Sequence, residues 1–173
     1  MNKEQLFREA IGENSQRIFR ICSYYFTDPD DRNDAYQDSL IRIWENLSGF
    51  KGNSKVSTWI YRVVVNTCLS FLRKEKRRKH MFDDGKDYEI SDSSNPKTLE
   101  ESLVFDDKLI FFMNFMNRIS LADRTLVSLY LEELTTKEMA EITGFTEVNV
   151  RVKIHRIKEQ IKKEWEEKNY GTG

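Results

Sequence analysis

The sequence predicts an all-α chain, built as two small helical domains joined by a flexible linker. Three observations carry this. Apolar residues recur every three or four positions through most of the 173 residues, the period of helices with one buried face. Pro occurs only twice, too rarely for a turn-rich sandwich. One long stretch loses the period: residues 81–99, MFDDGKDYEISDSSNPKTL, are polar and acidic, with Gly85, Pro96 and a Ser/Asp cluster. The expected boundaries are 1–80 for the first domain, 81–100 for the linker, 101–168 for the second domain and 169–173 for a disordered tail.

The elements follow in order. Leu6, Phe7, Ala10, Ile11, Ile18, Phe19 and Cys22 set a helix over 3–24, with an interruption expected around Asn14–Ser15. TDPDD then breaks the helix, and Ala35, Leu40, Ile43, Trp44 and Leu47 resume one over 31–47. SGFKGNS, with two glycines, is a loop. A long helix runs from Val56 to about Lys76 through Trp59, Ile60, Val63, Val64, Leu69 and Leu72; Val63–Val65 alone reads equally as strand, but its flanks are helical. Beyond the linker, a helix rich in aromatics and Met covers 101–117. ISLADRTLVSLYLEE forms the next, with Ser120 as N-cap and Asp123 at N3.

The last two helices lie in TTKEMAEITGFTEVNVRVKIHRI, residues 135–157. Thr135 with Glu138 forms a capping box, and Leu134 with Met139 a hydrophobic staple. Thr146 caps the second helix, with Phe145 and Val150 as its staple, and Gly144 stands where the first must stop. A helix over 136–142, a short turn and a helix from 147 are the dimensions of a helix-turn-helix. On a wheel of about 100° per residue, Val150, Ile154, Ile157 and Ile161 form one buried stripe. Val148, Asn149, Val152, His155 and Arg156 face the other way, flanked by Arg151 and Lys153. Asn and Arg suit base edges, Val152 suits a thymine methyl, and the flanking cations suit phosphates. Thr136 and Lys137 add phosphate contacts at a helix N-terminus. His155 reads as a polar surface contact. A plain helical hairpin with a charged face is the competing reading.

The chain's net charge is only -1, which looks wrong for a DNA binder, but the charge is segregated. Residues 1–50 hold nine acidic against six basic side chains, whereas 51–80 hold nine basic against one acidic. Residues 147–163 hold six basic against two acidic. Two basic sites therefore sit in a chain balanced by acidity elsewhere. Trp59, Tyr61, Arg62, Asn66 and Thr67 precede the basic run RKEKRRKH, and aromatics interleaved with cations suit single-stranded nucleic acid. Against that stands a structural reading, with Trp59 in the core and Tyr61 at its rim. The loop GFKGNSKVS suits an unstacked base. The acidic helix 31–47 does not suit DNA. Its Asp34, Gln37, Asp38 and Arg42, with Ile41 and Trp44 nearby, form either a protein-docking face or a solubilising one.

Other classes are excluded. Cys22 and Cys68 form no CxxC and, with two His, no zinc spacing; buried free thiols in a reducing cytoplasm are expected, with no metal and no cofactor. No apolar run approaches roughly 18 residues, so no membrane insertion is expected. MNKEQLFREAIGEN does not read as a secretory signal, and a cytoplasmic protein is expected. Neither GxxxxGK[ST], nor HExxH, nor a nucleophile with an oriented base occurs, so no enzyme is expected.

Two blocks resemble one family. DAYQDSLIRIWENLSGFKGNSKVSTWIYRVVVNTCLSFLRKEKRRK, residues 34–79, resembles region 2 of a bacterial sigma factor, through its acidic start, Gln, I-x-x-W, F-x-G loop, TW-x-Y-R-x-x-x-N and basic tail. LADRTLVSLYLEELTTKEMAEITGFTEVNVRVKIHRIKEQIKK, residues 121–163, resembles region 4. The short chain and direct linker resemble the extracytoplasmic-function group. The resemblance implies an RNA polymerase sigma factor that binds core polymerase, recognises the -35 and -10 promoter elements and helps initiate transcription. It implies that Asp34, Gln37, Asp38, Ile41, Arg42 and Trp44 dock on the clamp helices of the largest polymerase subunit. Phe50, Lys51, Asn53, Ser54, Lys55 and Ser57 then belong to the loop that pockets a flipped base of the melted -10 non-template strand. Trp59, Arg62 and Asn66 melt and hold that element, and Arg73, Lys74, Lys76, Arg77 and Arg78 lie near the promoter backbone. Thr136, Lys137, Glu147, Val148, Asn149, Arg151, Val152, Lys153, His155 and Arg156 face the duplex -35 element. An anti-sigma factor is a further expected partner. The chain departs from commoner members at Val152, where a small polar residue is usual, and in the wording DRNDAYQD. The competing functions are a dimeric helix-turn-helix regulator and a helical interaction protein that binds no DNA.

Overall fold

The computed structural model describes residues 2–82 and 107–170, with the side chains of 79–82 left aside. Among these residues the chain is all α-helical. The expected linker falls almost wholly outside the described residues, as do the first residues of the helix expected from 101 and residues 171–173 of the expected tail.

Three helices make the N-terminal group: α1 (Lys3–Ser23), α2 (Pro29–Asn46) and α3 (Val56–Phe82), with a short 3-10 turn at Leu47–Gly49 after α2. Asn2 caps α1 by accepting the Glu4 N–H. The expected interruption at Asn14–Ser15 does not occur. Asn14 is buried, its side-chain N–H donates to the Ala10 carbonyl at 2.7 Å, and its oxygen accepts from Tyr61 Oη at 2.6 Å. An amide satisfied in this way has no reason to compete with the helix. Helix α2 starts two residues earlier than expected. Pro29 sits in its first turn, where its missing N–H costs nothing, and Asp28 accepts from the N–H groups of Asp30 and Asp31.

Four helices make the C-terminal group: α4 (Asp107–Arg118), α5 (Leu121–Leu131), α6 (Thr136–Thr143) and α7 (Glu147–Tyr170). The Ser120 cap and the Thr135–Glu138 capping box both form. Gly144 ends α6 at φ 77, the left-handed region where a Cβ is strained. Helix α5 ends in the same way with a worse residue. Glu133 takes φ 61, its N–H donates to Tyr130 O, and the Leu134 N–H reaches back to Leu129 O. That pattern is a Schellman motif with Glu where Gly is usual. Helix α7 runs two residues past the expected boundary at 168.

One apolar core runs through both groups. Ile18, Ile21, Tyr25, Ile43, Ile60, Val64 and Cys68 share it with Leu126, Leu129, Met139, Ile142 and Val150. A smaller cluster of Phe115, Met116, Val127 and Ile157 holds α4, α5 and α7 together. No described helix is long and apolar enough to cross a membrane.

Candidate polymerase and nucleic-acid interfaces

The recognition helix is built as the wheel requires. Val150, Ile154 and Ile157 are buried, and Ile161 is half-buried. Val148 (67% exposed), Val152 (60% exposed), Asn149 and His155 stand on the open face. Two large apolar side chains left in solvent on one helical turn suit contact with thymine methyls. The cations beside them are partly committed. Lys153 is half-buried, with Nζ 3.4 Å from Asp123 Oδ1 and 5.5 Å from the centre of the Phe145 ring. Arg156 donates to both Asp123 oxygens at 3.1 and 3.3 Å. Arg151 pairs with Glu147 at 3.4 Å. Asp123 therefore fastens α7 to the start of α5 through two residues that sequence reasoning aimed at DNA.

At the start of α6, Lys137 is exposed and Thr136 half-buried. The capping box places the Glu138 carboxylate over this helix end, and Lys55 Nζ meets it at 2.9 Å. Burial would raise the Glu138 pKa, but the hydrogen bonds from Lys55 and Thr135 outweigh it and hold it below its ordinary value.

The second set lies on α3 and the loop before it. Gly52 turns the loop at φ 73; Lys51 and Asn53 are exposed, and Ser54 and Ser57 half-buried. Phe50 lies against Trp59, ring centres 5.5 Å apart, and both are half-buried. Arg62 is half-buried and Asn66 exposed. Two neighbours expected beside them face inward instead. Tyr61 is buried and bonded to Asn14, and Thr67 is buried and donates to Val63 O. The reason is that α3 packs against α1, α2 and α6, so it buries more than one stripe. Arg73, Lys74, Lys76, Arg77 and Arg78 line the C-terminal part of α3, all exposed.

The third set lies on α2. Asp34 and Gln37 are exposed, and Asp38 pairs with Arg42 at 3.0 Å. Ile41 is 55% exposed. Trp44, 39% exposed, is steadied by the Phe7 ring edge at 5.2 Å and by Lys3 Nζ 4.6 Å over its face. Asp38, Ile41 and Arg42 share a shallow groove with Asn66 across α2 and α3, so the expected docking and -10 sets adjoin.

Arg17, Arg20 and Glu132 escaped the sequence reading. The Glu132 side chain is only 2% exposed and accepts from Arg20 Nε and Nη2 at 2.8 and 2.7 Å, with Arg17 Nε 3.9 Å away. The partners lie more than a hundred positions apart, beyond any local signal.

These features define a class: a helical protein with an outward-facing helix-turn-helix, a separate basic helix and an exposed, partly acidic face on α2. Comparison with known proteins gives the family. The Sigma-70 region 2 model matches residues 10–78, and the Sigma-70 region 4 model matches 112–161. The ECF RNA polymerase sigma-E factor of Salmonella typhimurium is 30% identical over 169 residues, covering 91% of this chain and 85% of that protein. The ECF RNA polymerase sigma factor SigW of Bacillus subtilis is 26% identical, covering 93% and 89%. Among solved structures, CnrH in complex with the cytosolic domain of CnrY matches with a TM-score of 0.69 at 13% identity, covering 94% of this chain and 89% of that one. The sigma factor RpoE of Bartonella quintana, in complex with the anti-sigma factor NepR, matches at 0.65 and 17%, covering 90% and 96%.

The chain belongs to the extracytoplasmic-function group of sigma-70 RNA polymerase sigma factors. It binds core polymerase, recognises -35 and -10 promoter elements and helps initiate transcription, and it is not itself an enzyme.

Proposed function

We propose the following division of labour within that function. Residues 1–80 form the unit that docks on core and holds the melted -10 non-template strand, and 101–168 the unit that reads the duplex -35 element. Asp34, Gln37, Asp38, Ile41, Arg42 and Trp44 contact polymerase. Phe50, Lys51, Asn53, Ser54, Lys55, Ser57, Trp59, Arg62 and Asn66 receive the -10 bases, with Arg73, Lys74, Lys76, Arg77 and Arg78 along the backbone. Thr136, Lys137, Glu147, Val148, Asn149, Arg151, Val152, Lys153, His155 and Arg156 take the -35 duplex. The observation that carries this reading is the exposed Val148–Val152 face over a buried Val150–Ile154–Ile157 stripe. An exposed apolar pair has no structural use there and an evident one in a major groove. The protein works in the cytoplasm, where the polymerase is. An anti-sigma factor is its expected inhibitor, as two structural relatives are seen with such partners or a cytosolic domain.

The test uses holoenzyme assembled from the full chain and core polymerase. Asn66→Ala lowers promoter opening, read by permanganate reactivity, about tenfold while closed-complex affinity holds. Asn149→Ala lowers closed-complex affinity instead. Equal effects of both variants on both steps would defeat the division.

A further inference from the structure

Asp123 stands where the recognition helix meets the start of α5. It is the third residue of α5, and its N–H donates to the capping Ser120. Its side chain is 15% exposed, so water serves it poorly. Two cations of α7 serve it instead. Lys153 Nζ lies 3.4 Å from Oδ1, and Arg156 Nη2 donates to Oδ2 at 3.1 Å and to Oδ1 at 3.3 Å. Lys153 and Arg156 are three positions apart, so one helical face brings both to one carboxylate. The Phe145 ring centre, 5.5 Å from Lys153 Nζ, gives that side chain a second attachment. Arg151 is placed differently, since its partner Glu147 lies one turn back on α7 itself.

The helical wheel gives this grip a consequence. Arg156 falls between Val152 and Asn149 on the open face, and Lys153 lies at the edge of that face, next to the buried stripe. Unrestrained cations at these places would settle on phosphates, which lie beside every sequence alike. Such contacts add affinity and no discrimination. Tied to Asp123, the two side chains have their geometry fixed and part of their charge answered before DNA arrives. Their remaining N–H groups are left to meet base edges in a set register. A lone exposed ion pair is too weak for this, and Arg156 is itself 61% exposed. Two cations converging on one mostly buried carboxylate form a network instead.

We propose that Asp123 is a positioning residue for -35 discrimination: it withholds Lys153 and Arg156 from the phosphates and aims them at the groove floor, giving up general DNA affinity for selectivity. A chain brought to DNA by polymerase can give up that affinity. The proposal rests on the assignment of Lys153 and Arg156 to the -35 duplex.

The test uses holoenzyme assembled from core polymerase and the full chain, as wild type, Asp123→Asn and Asp123→Glu. Two labelled duplexes are the probes: one from a start site that the wild-type chain uses with core, and the same fragment with its -35 element scrambled. Fluorescence anisotropy over a salt series reads binding. Asp123→Asn should bind the scrambled duplex roughly threefold tighter or more, lose roughly threefold or more in discrimination, and steepen the salt slope by about one to two units, since each freed cation adds about 0.9. Asp123→Glu keeps the charge and should restore most of the discrimination. Adding Lys153→Gln and Arg156→Gln to Asp123→Asn should remove the gain in affinity. Equal weakening on both duplexes with an unchanged slope would make Asp123 a structural tie only and overturn the proposal. Equal tightening on both, with discrimination intact, would overturn it as well.

If Asp123→Asn fails to fold by circular dichroism, Lys153→Gln with Arg156→Gln on the otherwise wild-type chain carries the test. Discrimination should then fall while the slope drops by about one unit or less; equal loss on both duplexes, with the slope lowered by about two units, would overturn the proposal. The Asn149→Ala variant above isolates the underlying assignment. If it lowers closed-complex affinity while Asp123→Asn leaves discrimination unchanged, the -35 assignment stands and the positioning fails. If neither Asn149→Ala nor scrambling the element weakens the closed complex, the -35 assignment itself fails.

Discussion

Residues 51–80 and 147–163 are the two basic stretches of the chain, and they hold their charge differently. On α3, Arg73, Lys74, Lys76, Arg77 and Arg78 stand exposed along one end of a long helix. On α7, Lys153 and Arg156 converge on Asp123, Arg151 pairs with Glu147, and Lys163 lies 3.8 Å from Glu167. Counted charge and available charge are different quantities. Under the proposed division, the first stretch would hold a backbone and the second would present base-reading side chains in a fixed register. A sigma factor held on DNA by polymerase has no need of high intrinsic affinity, which agrees with a net charge of -1.

The largest effect expected lies outside both stretches. Asp38→Lys breaks the Asp38–Arg42 pair and reverses charge on the docking face, and should abolish core binding in a competition assay while leaving the melting temperature within a few degrees. Intact core affinity would remove α2 from the docking assignment. Next, replacing Arg73, Lys74, Arg77 and Arg78 together with Ala should lower holoenzyme–promoter affinity by an order of magnitude or more and flatten its salt dependence by several units, since each phosphate contact contributes about 0.9 to the slope. Replacing Lys153 and Arg156 should change that slope by about one unit or less, because Asp123 already engages both. Equal slopes would erase the contrast between the stretches.

Much of the C-terminal group was legible from sequence because its signals are local. Caps at Ser120, Thr135 and Thr146, the stop at Gly144 and the Val150–Ile154–Ile157 stripe each involve residues within a few positions of one another. The misreadings involve distant partners. Asn14 looked like a break because the Tyr61 hydroxyl that satisfies it lies 47 positions on. Tyr61 and Thr67 looked available because nothing local shows that α3 is covered on several sides. Lys153 and Arg156 each have a further partner that the local sequence does not show, since Asp123 lies 30 and 33 positions away. The contacts between the two halves were invisible for the same reason.

Two smaller predictions sharpen the local side of this contrast. Gly144→Ala meets no atom within 4 Å, so its cost is backbone strain alone, about 1 kcal/mol. Glu133→Gly relieves the same strain at the end of α5 and should raise stability by up to about 1 kcal/mol. Denaturant melts of the full chain measure both, and equal signs would contradict the left-handed assignment of one position. Smallest of all, Val152→Ala should reduce discrimination at one -35 position by a few-fold, read as start-site usage on a promoter library, with no loss of stability.

The central claim is that one chain joins -10 and -35 recognition for polymerase. The most direct measurement is transcription of genomic DNA in vitro by core polymerase with and without the chain, with every 5′ end mapped. The account predicts discrete starts that need the chain, each preceded by a shared two-part motif of fixed spacing. No added starts from a preparation that binds core, with tight duplex binding by the chain alone, would contradict it.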